Sequence, residues 1–502
     1  MRTPRVSLSD VKSPKGPADS VPDTADEATP DALVVDWDGP DDPQNPKNWS
    51  FKRKWVVTAI ASAFTFITPV GSSMIAPASP QVAHDFGVTS DVVMALDTSI
   101  FILAFAVGPL FIGPLSEIFG RSRVLQLSNL WFLAWNLGSS FAQSQTQLLV
   151  FRFLSGLGGG APLSIGGGVI GDVWRAEERG TAMALYGLAP ILGPVVGPLT
   201  GSWVAQYSNW RWVFWSLSIA DVFVVILGFF FLQETYAVVL LERKAKRIRA
   251  SMDPEKSQHR VVRTIFDKQG ERSWKSIFKQ SMFRPFVLFW YEPIVQALGI
   301  YMAYLYGILY LCLTTMPTIY QDIYHMKLGP AGLNYIALGI GLSGASQLNS
   351  RTMDRIYAYL KRKNGTEGKP EYRLPSMAIG TVMLPIGLLI TGWTTQAQVH
   401  WIAPDIGIAI VGAGVILNFQ CIQTYVVDTF TLHAASALAM VNCLRSIAGF
   451  GFPLFAPTMY QALGYGKGDT ILAAAAVVIG GPAPLIFWFY GEKIRLASRY
   501  GK

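Results

Sequence analysis

The chain has 502 residues, of which 51% are hydrophobic and only 15% charged. A soluble domain carries about a quarter charged residues to keep its surface in water, so much of this surface faces something else. The net charge of +8 falls in short basic bursts between apolar runs, which suits lipid headgroups and topology control rather than nucleic acid.

Residues 1 to about 50 are polar and Pro/Asp-rich, with no apolar stretch of the signal-peptide kind. They hold too few apolar groups to offset ordering entropy, so a disordered tail is expected over 1–54. After Lys52-Arg53-Lys54 the composition changes abruptly. A bilayer core needs about 20 apolar helical residues. By that ruler, spans are expected at 55–78, 92–112, 124–142, 147–171, 183–205 and 211–232. A polar stretch over 233–285 precedes a second set at 286–311, 331–350, 374–393, 402–424, 435–459 and 471–490, and a short tail at 491–502. The expected fold class is an all-α membrane protein with one helical bundle over 55–232 and another over 286–490.

Lysine and arginine placement sets the orientation. With the N-terminus inside, the outward loops hold only Arg211, Lys327 and Lys467. The inward segments hold Arg121, Arg123, Arg175, Arg179, the central stretch, 351–373 and the tail. Both termini are therefore expected in the cytoplasm. Leu240 to Arg249 reads as a basic amphipathic helix on the inner leaflet; calmodulin targets look similar.

Between spans 2 and 3 stands Gly113-Pro-Leu-Ser-Glu117-Ile-Phe-Gly120-Arg121-Ser-Arg123. The arginines satisfy the positive-inside rule, and with Glu117 they can also form a charge latch that rigid-body rocking makes or breaks. The glycine spacing favours the latch. Charges inside spans are costly and mark functional positions. Arg152 lies about five residues into span 4, where it either snorkels or tunes a nearby carboxylate. Arg445 lies deeper in span 11, to pair with Glu292 or Asp428 or to gate. The carboxylates within spans are Asp97, Asp221 and Glu292, with Asp428 ending span 10.

Span 5 reads Gly187-Leu-Ala-Pro190-Ile-Leu-Gly193-Pro194-Val-Val-Gly197-Pro198-Leu-Thr-Gly201. Small residues four apart permit close helix contact, and each proline bends the helix. Span 11, with Gly449, Gly451, Pro453 and Pro457, is interrupted at the corresponding place, a pointer to a site at a repeat interface. Span 7 carries Tyr301, Tyr304, Tyr306 and Tyr310, and span 10 carries Asn418, Gln420 and Gln423. These suit a cavity for flat, weakly polar molecules, although tyrosines also anchor spans at the interface. Cys312, Cys421 and Cys443 form no CxxC or Cys/His cluster, and no P-loop or nucleophile elbow is present. No metal, no cofactor and no enzyme activity are expected.

The segment from Gly113 to Arg123 resembles the signature loop of the major facilitator superfamily, with Glu117 for the usual Asp and Ser122 for the usual basic residue. Leu148-x3-Arg152-x2-Ser155-Gly156 resembles the family's second motif, whose arginine is linked to proton transfer. Span 5 is similar to the motif that marks antiporters, with Pro198 where a second glycine is common. Trp37-Asp-Gly-Pro-Asp-Asp-Pro-Gln-Asn-Pro-Lys-Asn-Trp49-Ser, Asn209-Trp-Arg-Trp212, Gln233-Glu-Thr-Tyr236 and Arg445-Ser-x5-Phe-Pro-Leu-Phe455 look like the fungal twelve-span drug:proton antiporters. The resemblance runs from Val35 to the C-terminus.

It implies the major facilitator fold, two six-helix bundles related by pseudo-two-fold symmetry, with spans 1, 4, 7 and 10 lining the cavity. That points to Glu292 and Asp97 rather than Asp221 for proton coupling. It implies a proton-coupled antiporter that exports small, mostly apolar organic compounds by alternating access. Its partners are then a small organic substrate, protons and membrane lipids, with no nucleic acid. A monomer is expected in the plasma membrane, with the vacuolar membrane as the alternative. A proton symporter importing a nutrient is the main rival, against which Gln233-Glu-Thr-Tyr stands where sugar porters carry P-E-S-P-R. A nontransporting membrane sensor would fit better with a folded soluble domain.

Overall fold

The computed structural model describes residues 32–175, 178–252, 261–266, 274–365, 368–430 and 433–498. Nearly all of it is helical. The first half comprises α1 (Phe51–Ser73), α2 (Ser79–Phe86), α3 (Asp91–Phe119), α4 (Arg121–Ser140), α5 (Gln145–Gly159), α6 (Ala161–Val173), α7 (Arg179–Tyr207) and α8 (Trp210–Phe231). After α9 (Ala237–Ser251) and α10 (Trp274–Tyr291), the second half comprises α11 (Pro293–Thr318), α12 (Leu328–Leu333), α13 (Tyr335–Asn364), α14 (Pro375–Gln396), α15 (Ile402–Thr429), α16 (Ala434–Gly480) and α17 (Pro482–Ala497).

Among the described residues, nine helical stretches are long and apolar enough to cross a membrane. The last, Ala434–Ala497, holds two passes divided at Gly464, whose φ of 76° breaks the helix. The helices α4 and α13 are more polar; nine, one for that division and two for these gives twelve. The outward faces are apolar too: Phe223, Phe229 and Phe230 on α8 stand 65%, 73% and 69% exposed. A helix that presents such groups outward is surrounded by lipid.

Local signals set the helix ends. The Ser144 hydroxyl accepts from the Gln147 N–H at 3.3 Å and opens α5. The Asn209 side chain accepts from the N–H groups of Arg211 and Trp212 and opens α8. Pro293 occupies the first turn of α11, preceded by Glu292 in an extended conformation. Span 7 therefore begins about seven residues later than expected from hydropathy, because the apolar run before it belongs to α10. Glu292 caps the entrance to span 7 and does not lie within it.

The stretch before span 1 also departs from expectation. Residues 32–50 are structured, while 1–31 lie outside the described residues. Both Asp42 carboxylate oxygens accept main-chain N–H groups, from Asp38 at 2.9 Å and Gln44 at 2.8 Å, and Trp49 is buried. These local bonds supply the order that composition alone does not predict.

The described residues within Met1–Asp36 and Leu241–Lys268 form a small unit of their own. Within it, β1 (Ala32–Val35) pairs in parallel with β2 (Val261–Thr264). Val35 and Val262 pack on Ala245 and Ile248 of α9. The apolar face expected to meet the inner leaflet thus meets a β-ribbon.

In the larger unit, α1 and α7 pack along their length, as do α3 with α16 and α7 with α12 and α13. The glycines of span 5 face span 1. A β-carbon on Gly193 would stand 2.6 Å from that of Pro69, and one on Gly197 would stand 2.6 Å from the Val70 carbonyl oxygen. Val195 touches Gly339 of α13, so the same helix serves both interfaces. Gly197→Val is expected to cost about 1–3 kcal/mol through overpacking, whereas Leu185→Val, at an exposed position, changes little. Thermal unfolding of the two purified variants measures the difference.

Candidate functional site

Among the described residues, the most deeply buried cation is Arg152, 1% exposed. It shares a helix face with Leu148, Ser155 and Gly156, all buried. Its guanidinium does not snorkel. Nε donates to the Asp97 carbonyl at 2.8 Å, Nη1 to the Gly71 carbonyl at 2.7 Å and Nη2 to the Ser72 carbonyl at 2.9 Å. The last-turn carbonyls of a helix need outside donors, and α1 ends at Ser73. The Phe101 ring lies 4.8 Å from the guanidinium carbon. Arg152 thereby ties spans 1, 2 and 4 together.

Beside it, Asp97 is also 1% exposed. Its Oδ1 accepts from the Gln145 amide at 2.6 Å, and its Oδ2 is buried without a hydrogen-bond partner. Gln145 lies two turns before Arg152, so one face of α5 holds both the amide and the cation. Asp221 has a similar arrangement with Asn129 at 2.8 Å on α4.

From Ser72 a polar thread crosses to the second half. Its hydroxyl and that of Tyr310 are 3.0 Å apart. The Tyr310 ring stacks at a tilt on Tyr306, 5.0 Å between centroids, and the Arg445 guanidinium lies over Tyr306 at 4.7 Å and Phe419 at 5.1 Å. Two further hydrogen bonds join the halves among the described residues: Gln461 to Asp91, and the Gly329 N–H to Gln206 at 2.6 Å. Both lie at the end away from the basic loops.

At the basic end the expected latch has other partners. Glu117 and Arg123 are exposed. Arg121 instead pairs with Asp172 at 3.3 Å, its N–H donates to Glu234 at 2.9 Å, and its guanidinium lies over Tyr236. The positive φ of Gly120, 102°, turns the chain so that Glu234 reaches it closely. Asp172 and Glu234 come from distant stretches, and sequence spacing alone did not join them to Arg121. The second half repeats the device: Arg373, just before α14, pairs with Asp428 at the end of α15 at 2.5 Å and with Asp354 at 3.5 Å. Nearby, Lys369 donates to Glu492, which raises its ammonium above the ordinary value.

An arginine at the entry to the third helix of each half, paired with an aspartate at the exit of the fourth, marks an internal repeat. Comparison with known families decides which repeat this is: residues 61–453 match the model of the Major Facilitator Superfamily. The chain belongs to the major facilitator superfamily. It is 47% identical to the efflux pump vrtL of Penicillium aethiopicum, over 95% of this chain and 93% of that one. It is 42% identical to the MFS-type transporter penM of Penicillium rubens, over 97% and 94%. A partially occluded, inward-open structure of the xylose transporter XylE from E. coli superposes with a TM-score of 0.65 at 16% identity, over 88% of this chain and 98% of that one. The protein is a multi-pass membrane transporter.

Within this major facilitator chain, several residues expected to line a cavity hold the second half together. The Tyr301 hydroxyl pairs with that of Thr381 at 3.0 Å, which in turn donates to Asn418 at 3.0 Å. Tyr304 donates to the Leu472 carbonyl, and Gln420 bridges Asn349 at 2.9 Å and Ser346 at 2.7 Å. Gln423 alone of the set is half-buried with no hydrogen bond. Tyr301 and Tyr304 share one face of α11, while Tyr306 and Tyr310 fall on another; that offset was the available signal. Arg445 pairs with neither candidate partner. Glu292 lies four turns from Tyr306 along α11, about 21 Å away at 1.5 Å per residue, and Asp428 is held by Arg373.

In the antiporter motif, Gly193, Pro194, Gly197 and Pro198 are buried, whereas an added β-carbon on Gly187 meets nothing within 4 Å. Toward the end away from the basic loops, a cavity of about 520 Å³ is lined by Asp91, Thr98, Gln321, Asp322, Tyr460 and Tyr465 among others, with no lysine or arginine. Behind Tyr460, Asp469 accepts its hydroxyl at 2.6 Å. This carboxylate lies two residues before the expected start of span 12 at 471.

Arg152→Met leaves three carbonyls without their donor and is expected to cost about 3 kcal/mol or more. Arg152→Lys recovers part, since charge survives but the planar fork does not. Thermal unfolding of the purified proteins reads both, and wild-type stability of the methionine variant refutes the role.

Proposed function

We propose that the chain is a proton-coupled antiporter that exports small, mostly apolar organic compounds by alternating access. The observation that carries this reading is the pair Asp97 and Arg152. A buried carboxylate with one oxygen unpartnered is costly as an anion, and a proton on Oδ2 relieves that cost. When the proton leaves, the carboxylate faces the fixed charge of Arg152, which also holds the carbonyls of span 1. Proton exchange at Asp97 therefore acts on the helix that span 5 grips through Gly193 and Gly197.

Other observations support the direction. Relatives of similar length carry efflux in their names, including vrtL and the efflux pump radE of Floropilus chiversii. Span 5 packs on span 1 along its glycines, an arrangement suited to sealing against proton leak. The domain layout accompanies this reading: six-helix bundles over 55–232 and 286–490, with cytoplasmic segments at 1–54, 233–285 and 491–502. The protein acts as a monomer in the plasma membrane, with the vacuolar membrane as alternative. The clusters around Arg121 and Arg373 brace the cytoplasmic end of each half, and contacts such as Gln461–Asp91 close the other end until release.

In inside-out vesicles, acidifying the lumen is expected to drive uptake of true substrates from a broad compound panel, and an uncoupler to stop it. Asp97→Asn abolishes the pH-driven accumulation in protein that elutes as wild type. Reproducible movement of a substrate in the same direction as protons overturns the antiporter and promotes a symporter. The orientation has its own check. Asn48-Trp-Ser50 and Asn364-Gly-Thr366 are glycosylation sequons placed in the cytoplasm, so neither carries glycan in a eukaryotic host. An endoglycosidase mobility shift lost in Asn364→Gln inverts the second half.

A further inference from the structure

Arg445 is 9% exposed, and its Nε is buried without a hydrogen-bond partner. Among the described residues, no carboxylate lies within 4.0 Å of its guanidinium. Its surroundings explain why. α11 carries no charge between Pro293 and Thr318, and α15 carries only Asp405 and Asp428, each at an end. Asp428 lies about 14 Å along α15 from Phe419 at 1.5 Å per residue, already paired with Arg373. Arg152, by contrast, has all three donor nitrogens on carbonyls.

A lone cation in the membrane interior costs about 2.5–3.5 kcal/mol on insertion scales. Among the described residues, two rings, Tyr306 and Phe419, stand against Arg445 to offset that cost. One turn beyond Arg445, a β-carbon on Gly449 would touch both Tyr306 of α11 and Ile102 of α3. The guanidinium therefore stands beside the seam of the two halves, where transporters of this architecture open and close. Tyr306 and Phe419, which flank it, are half-buried, as are Gln423, one turn along α15 from Phe419, and Phe452, two turns along α16 from Arg445. With rings 4.7 Å and 5.1 Å from its carbon and Nε unpartnered, the guanidinium still offers a planar fork for two oxygens.

We propose that Arg445 anchors the substrate, and that the substrate class is a flat, largely apolar organic acid whose carboxylate or enolate oxygen supplies the missing counter-charge. The ring system lies against Tyr306, Phe419 and Phe452, and the Gln423 amide meets a further oxygen. This deepens the exporter reading and rests on it. The cavity at the other end, with Asp91 and Asp322 and no basic lining residue, repels the same anion and so favours its departure.

The test is equilibrium binding to the purified full chain in nanodiscs, without a gradient, read by the fluorescence of three matched probes. These are anthracene-9-carboxylate, its methyl ester and 9-(aminomethyl)anthracene. Wild type is expected to bind the acid at least about tenfold tighter than the other two, as for a charge-assisted fork. Arg445→Gln erases the preference, and Arg445→Lys keeps part of it. Phenylglyoxal labelling of wild type, located by mass spectrometry, gives a readout independent of the variants' folding: the acid, and not the amine, protects Arg445. No binding of the acid, equal binding of acid and ester, an intact preference in Arg445→Gln, or labelling of Arg445 undiminished by the acid overturns the proposal. Because no transport is measured, that failure leaves the direction of export standing. Symport in the vesicle assay would likewise leave the binding result standing.

Discussion

A charge inside a bilayer must find its partners within the protein, and Arg152 finds them on the backbone. Its three donor nitrogens take the carbonyls of Gly71, Ser72 and Asp97. That choice lets α1 end at Ser73 inside the protein, where a free carbonyl is penalised. The close glycine contacts of span 5 fall at the same place, since Gly193 and Gly197 sit against residues 66–74, around Pro69. The cation is thus part of the scaffold and, in the proposed mechanism, part of the proton site.

The two halves use the same parts with different occupants. Arg121 with Asp172 and Arg373 with Asp428 stand at matching positions and brace matching helices. Span 5 lies on span 8, and span 2 on span 11, as a pseudo-two-fold relation demands. The symmetry fails at the centre. The first half answers its buried arginine with carbonyls and has a carboxylate nearby; the second half answers Arg445 with aromatic rings. The proposed functional asymmetry falls at that point, since a proton and an organic substrate would need different chemistry.

The polar thread through Ser72, Tyr310 and Tyr306 links those two arginines without any ion pair. A shift of α11 that separates Tyr310 from Ser72 also moves the ring beneath Arg445. The proposed coupling requires one such element that both sites bias.

What the sequence determined by itself was whatever depends on local composition: the apolar runs, the basic bursts between them, the small-residue motif of span 5 and the presence of Arg152 and Arg445 inside apolar runs. Hydrophobicity and helix geometry act over one turn to one span, so they are legible in a linear string. Even there the start of span 7 slipped, because an apolar approach helix and a span have the same composition and only Pro293 divides them. The partners were decided by tertiary structure. Nothing near Arg121 in sequence announces Asp172 or Glu234, and Arg445 faces rings rather than Glu292 or Asp428. The tyrosines of span 7 divide between structure and seam according to which helix each meets. A side chain's partner depends on how helices dozens or hundreds of residues apart rotate against one another, and no short-range pattern contains that angle.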